Sequence, residues 1–121
     1  ADRIVLVGPV ADPMKELAAA DIFALPSRHE GYGMAFAEAL AHGLPIIACR
    51  AGAVPEVVPP EAGFLVPVDD TDAFVEALAT LLDKDEIRVR MSETAWRAAQ
   101  DLPGWDDTAR SVASALERAA V

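Results

Sequence analysis

Three short apolar runs, Ile4–Val7, Ile22–Leu25 and Ile46–Ala48, punctuate the first half of the chain, each bounded by Gly, Pro or Ser. Runs of that length without polar alternation are the pattern of strands buried on both faces of a parallel sheet. Leu65–Val66 is a fourth and shorter candidate. Between the runs the pattern turns helical, at about Met14–Ala20, Met34–Ala41 and Val54–Val58. A longer helix is predicted from Thr71 to about Leu82, with Asp70 or Thr71 as its cap and Phe74, Leu78, Leu81 and Leu82 on one face. From Glu86 on the chain reads as helical, broken at Leu102-Pro103-Gly104. The alternation predicts an α/β fold, a Rossmann-like parallel sheet with flanking helices. No repeat, low-complexity stretch or linker divides it, so residues 1–121 are expected to form one domain.

Composition narrows the class. A hydrophobic fraction of 53% is ample for a core, and a chain of this size buries roughly two-thirds of the surface its unfolded form exposes. No apolar run approaches the ~20 residues of a membrane span, and a soluble, cytosolic piece is expected. The single cysteine, Cys49, excludes an internal disulfide and follows Ile46-Ile47-Ala48, which makes it a buried thiol at a strand end. A net charge of −10 without clustered Lys or Arg argues against nucleic acid. Much of the acidity, at Asp83, Asp85, Glu86 and Glu93, reads as a solvated surface.

In open parallel sheets ligands bind beyond the carboxyl ends of the strands. The three loops expected there are Gly8–Asp12, Pro26–Gly33 and Arg50–Val54, converging on one crevice. The second loop carries the densest chemistry: Glu30 precedes Gly31-Tyr32-Gly33, and Glu38 lies about a turn and a half into the helix that follows. Free N–H groups and the positive end of the dipole make a helix start a seat for a diphosphate. Carboxylates accept hydrogen bonds from hydroxyls, which sugars offer.

The pattern Ser-x-x-Glu-Gly-aromatic-Gly from Ser27, followed by Glu38-Ala-Leu-Ala-x-Gly43-x-Pro45, resembles the donor-binding domain of family 4 glycosyltransferases, retaining enzymes of the GT-B fold. Ala51-Gly52-Ala53-Val54-Pro55-Glu56-Val57-Val58 is similar to that family's Gly-Gly-x-Pro-Glu-Ile-Val turn, with Ala53 where a second glycine is usual. Gly63-Phe64-Leu65-Val66-Pro67-Val68-Asp69-Asp70, Val5–Val10 and Trp105-Asp106 resemble further segments in the family's order.

That resemblance implies a nucleotide-diphosphate sugar as donor substrate, no separate cofactor and no metal, and transfer to an unidentified acceptor. It implies that Gly8 and Val10 line the pocket of the base and that amides around Gly31, Gly33, Met34 and Ala35 hold phosphate and sugar. Glu30, as the catalytic candidate, would take the sugar hydroxyls and Glu38 the ribose hydroxyls. It implies also that these 121 residues are the C-terminal, donor-side part of a longer enzyme. The acceptor-side N-terminal domain and the basic segment that neutralises the donor phosphates would lie elsewhere. The chain alone would be inactive, and the full-length enzyme cytoplasmic or seated at a membrane surface.

Two other classes remain open on the residues alone: a nucleotide-binding module without catalysis, and a structural α/β domain whose exposed edge drives self-association. His29 reads as a surface residue, His42 as a donor at a helix C-terminus, and Gly43 and Pro45 as stop signals. Tyr32 is expected to prop its loop, and Trp96 and Trp105 to anchor helix packing. Gly31-x-Gly33 lacks the third glycine of a dinucleotide fingerprint, and no His-Glu-x-x-His, Cys-x-x-Cys or Gly-x-Ser-x-Gly occurs.

Overall fold

The computed structural model describes residues 3–28, 34–102 and 113–119. Its sheet has three parallel strands, β1 (Phe23–Leu25), β2 (Ile46–Cys49) and β3 (Gly63–Val66), in the order β1-β2-β3. Phe23 pairs with Ile46, and Ile46 in turn with Gly63, so β2 is central and buried along its whole length. The helices are α1 (Pro13–Ala19), α2 (Met34–Ala41), α3 (Val54–Val57), α4 (Thr71–Asp83) and α5 (Asp85–Gln100). Residues 113–119 are also helical.

Alternation along β2 sorts the core into two layers. Ile46 and Ala48 face Phe36, Ala39 and Leu40 of α2 and Val54 and Val58 at α3, while Ile47 faces Ala77 and Leu81 of α4. That is the period-2 rule of a strand covered on both sides. Helix α5 serves both layers, placing Ala95 in the first and Met91 in the second. Phe23 of β1 meets Phe36 edge-on, with ring centroids 5.5 Å apart and planes at 84°. This arrangement suits the ring quadrupoles and seats α2 against β1.

Local signals set the ends of the elements. Asp12 caps α1 through Met14 N at 3.1 Å, ahead of Pro13 at the first helical position. Asp70, one of the two expected caps of α4, accepts from Ala73 N at 3.0 Å. Helix α2 ends in a Schellman turn: Gly43, at φ +68°, donates to the Leu40 carbonyl and Leu44 to that of Ala39. His42 Nδ1 lies 2.8 Å from the Glu38 carbonyl, so the expected donor at this terminus is in place. Ser92 Oγ of α5 donates to the Gly43 carbonyl at 2.6 Å, fastening the turn to the last long helix.

Several boundaries and one strand differ from the sequence reading. Ile4–Val7 is not a strand: it runs as irregular chain with all four side chains exposed, Leu6 by 93%. A strand exists only with a neighbour to pair with, and none of the backbone hydrogen bonds of the described residues reaches this run. In α4 the inward face is Phe74, Ala77, Leu78 and Leu81, whereas Leu82 is exposed, because the step from Leu81 to Leu82 turns a side chain about 100° around the axis. Trp96 is 55% exposed and anchors no core, since the inward positions of α5 belong to Met91 and Ala95. Trp105 lies outside the described residues. Cys49 closes β2 as the expected buried thiol.

Candidate functional site

Because the strands are parallel and each is followed by a helix running back along the sheet, the connections after Leu25, Cys49 and Val66 leave the same end of the sheet. The starts of α2, α3 and α4 lie at that end. Two of them carry acids of their own: Glu56 in the first turn of α3, and Asp72 with the cap Asp70 at α4. The first turn of α2 holds no acidic residue. Its leading amides, Met34 and Ala35 among them, have no intrahelical acceptor by construction. Of the five helices with assigned ends, α2 alone presents such a start, since Glu16 lies in the first turn of α1 and Asp85 and Glu86 in that of α5. Among the described residues, this is the helix start at this edge whose own first turn adds no negative charge against an anion.

Glu38 stands on α2 off the inward stripe of Phe36, Ala39 and Leu40, and its side chain is half-buried. Among the described residues no hydrogen bond or ion pair engages its carboxylate, and its backbone carbonyl is taken by His42. Met34 is exposed and Ala35 half-buried at the head of the same helix. The candidates Glu30, Gly31 and Gly33, with His29 and Tyr32, lie outside the described residues.

Gly8 and Val10 belong to the irregular stretch ahead of α1, where Gly8 takes φ +73° and a Cβ built on it would meet nothing within 4 Å. Since Ile4–Val7 forms no strand, Gly8–Asp12 does not leave a strand end. The third connection at the sheet's edge is instead the turn Pro67–Asp70. At Ala53, where the resembled family usually has glycine, the backbone is right-handed with φ −81°, and Gly52 before it carries the positive φ. A Cβ at Ala53 is therefore accommodated.

The sequence reading missed two residues at this edge. Arg28, three positions beyond β1, pairs with Asp69, three beyond β3, at 2.6 Å. The partners are 41 residues apart and no local pattern connects them. Arg50, directly after β2, is exposed at the same edge and donates its backbone N–H to the Val66 carbonyl at 2.8 Å. Among the described residues no polar or charged side chain is buried, so the chemistry of this edge lies at the surface.

The family described as glycosyl transferases group 1 matches residues 1–84. The chain belongs to this family. A D-inositol 3-phosphate glycosyltransferase of Corynebacterium glutamicum is 42% identical over 107 residues, which are 88% of this chain and 25% of that protein. A GDP-mannose-dependent monoacylated alpha-(1-6)-phosphatidylinositol monomannoside mannosyltransferase of the same species is 44% identical over 94 residues, covering 72% of this chain and 24% of the relative. This group 1 glycosyltransferase chain thus spans about a quarter of the length of these curated relatives.

Among solved structures, a sucrose-phosphate synthase from Thermosynechococcus elongatus superposes with a TM-score of 0.77 at 28% identity, over 85% of this chain and 26% of that one. The three-stranded parallel sheet with its helices is thus part of a GT-B glycosyltransferase fold. No helix among the described residues is long and apolar enough to cross a membrane.

Proposed function

We propose that this chain is the donor-binding part of a retaining glycosyltransferase, which holds a nucleotide-diphosphate sugar while a second domain presents the acceptor. The observation that carries the reading is the start of α2: without an acid in its first turn, at the carboxyl edge of the sheet, and with the Glu38 carboxylate on the same helix unengaged by any hydrogen bond or ion pair among the described residues. The diphosphate would lie against the amides at Met34 and Ala35, where the helix dipole and fixed N–H donors stabilise the charge that grows on the leaving group. Glu38 would accept the ribose hydroxyls. Glu30, at the head of the preceding loop, would accept those of the sugar, with Gly31 and Gly33 allowing close approach of the backbone. Gly8 and Val10 would reach the base. The GDP-mannose-dependent mannosyltransferase among the relatives supports this donor class.

The test is a titration of the chain with UDP, GDP and ADP and their glucose and mannose conjugates, followed through backbone amide shifts. Shifts are expected across residues 8–12 and 31–38. A hydrogen bond to a charged acceptor is worth ~1.5–3 kcal/mol, so Glu38→Gln should weaken binding about tenfold or more. Unchanged affinity in that variant would remove Glu38 from the ribose site.

A further inference from the structure

Trp96 is 55% exposed on α5, where Met91 and Ala95 already fill the inward positions, so the core leaves its indole in solvent. It lines an open groove of about 620 Å3 together with Gly43, Ser92, Glu93 and Arg97. At about 100° per residue, Ser92, Trp96, Glu93 and Arg97 fan out in that order over roughly 140° of one helix face.

Gly43, at φ +68°, puts no side chain into the groove. Its turn is closed by two backbone hydrogen bonds and fastened to α5 by Ser92, so the two walls hold one relative position without a ligand. Gly43 comes three residues before the first residue of β2, which places the groove at the amino end of the strands. The starts of α2, α3 and α4 lie at the carboxyl end. The groove is thus separate from the helix start to which the donor is assigned.

Its polar groups are free to bind. Glu93 offers a carboxylate that accepts and Arg97 a guanidinium that donates, while Ser92 Oγ, having given its proton to the Gly43 carbonyl, can still accept. Opposite charges four residues apart on a helix commonly pair. Among the described residues, however, neither Glu93 nor Arg97 is in an ion pair, and Arg97 makes only a long 3.5 Å contact from Nε to the Glu93 carbonyl.

We propose that this groove is a second binding site, for a neutral oligosaccharide, with Trp96 as its stacking platform and Glu93 and Arg97 as its hydrogen-bonding rim. A pyranose is amphipathic in the matching sense: one face is a row of C–H groups that packs on an aromatic ring, and its equator carries hydroxyls that donate and accept. The volume lies in the range of small-molecule sites. A protein partner fits less well, because the centres of protein interfaces are depleted of the charges that flank Trp96 here. A nucleotide would bring phosphates against Glu93 in a chain of net charge −10. The site does not depend on the donor reading, and its ligand class suits a chain of a glycosyltransferase family.

The test is a titration of the chain with maltotriose, cellotriose and mannotriose, followed by the Trp96 indole N–H signal and backbone amides. One stacked hexose supports a Kd on the order of 1–5 mM, so each sugar is taken to about 50 mM. Saturable shifts of the Trp96 indole and of the Gly43 and Arg97 amides are expected with at least one of the three. Trp96→Ala should weaken binding at least about tenfold, Trp96→Phe should stay within about threefold, and Glu93→Gln or Arg97→Gln should cost about two- to fivefold. All three side chains are exposed, so the variants should keep the urea midpoint of the wild type.

UDP should leave the Trp96 indole unmoved, and the three sugars should leave the start of α2 unmoved, which keeps this outcome apart from that of the nucleotide titration. No shift with any of the sugars, or undiminished binding in Trp96→Ala, would overturn the proposal. Indole shifts that follow chain concentration without sugar would also overturn it, since the groove would then be a contact between copies. Shifts with UDP equal to those with sugar would do the same by making Trp96 a platform for a base.

Discussion

Replacing Gly63 with alanine sets two effects of opposite sign against each other, and the distances decide between them. Alanine in a strand interior removes the entropic penalty of glycine, a gain of ~0.5–1 kcal/mol. A Cβ at Gly63, however, would lie 2.8 Å from the Ile46 carbonyl oxygen and 3.0 Å from both Ile46 Cβ and Val58 Cγ1. The approach to the carbonyl is about 0.6 Å short of the 3.4 Å at which ordinary contact begins. The nearest obstacle is backbone of the central strand, which cannot rotate away as a side chain can.

Relief requires β3 to move off β2, and the bond from Ile46 N–H to the Ala62 carbonyl is already 3.0 Å long. A shift of ~0.6 Å would carry it past the limit of a useful hydrogen bond. Overpacking costs ~1–3 kcal/mol and a lost hydrogen bond ~1 kcal/mol, so the steric side wins by about 2 kcal/mol. In urea unfolding followed by far-UV circular dichroism, the midpoint of Gly63→Ala should fall at unchanged slope, and the melting temperature should drop by roughly 8–12 °C. Adding Val58→Ala clears one of the three contacts and should restore only part of the loss. Gly8→Ala, whose Cβ would meet nothing but whose φ of +73° is left-handed, isolates backbone strain from steric clash and should cost ~1 kcal/mol, less than Gly63→Ala. A Gly63→Ala chain as stable as the parent would refute this account of how β2 and β3 approach.

Other expectations follow from single contacts. Ser92→Ala removes the 2.6 Å hydrogen bond to the half-buried Gly43 carbonyl and should cost ~1 kcal/mol, read as a lower urea midpoint; no shift would mean that water replaces the hydroxyl without loss. Cys49, buried at the end of β2, should react with a thiol reagent only as fast as the chain opens, so labelling should accelerate steeply through the unfolding transition. Immediate labelling under native conditions would place the thiol at the surface.

Much of this fold was legible where a local pattern and its tertiary setting agree. Ile46-Ile47-Ala48 reads as a doubly buried strand and is one, because helices cover both faces. Gly43 and Pro45 read as stops, since a left-handed residue followed by an imide ends a helix whatever surrounds it. Ile4–Val7 carries the same apolar signal as β2, but strand formation depends on a neighbour, and a neighbour is not a property of the run itself. Leu82 misled because leucine is counted as inward by type, while Ala77 takes the space beneath the helix. At the candidate site, the start of α2 and the placement of Glu38 along that helix were visible from the motif and helix period. The Arg28–Asp69 pair was not, since two loops far apart in sequence meet only after the sheet has assembled.

The two layers of side chains on either side of the sheet share one helix, α5, whose Met91 belongs to one and Ala95 to the other. Residues four apart on a helix lie one turn from each other, so neither contact can be released without tilting the helix away from the second. The layers consequently lack independent melting behaviour, and loosening at Leu81 beneath α4 is transmitted to Phe36 beneath α2 as a shared loss of protection. With three strands among the described residues and one helix shared by both layers, the expected behaviour is joint opening, read as matching exchange protection at Leu81 and Phe36.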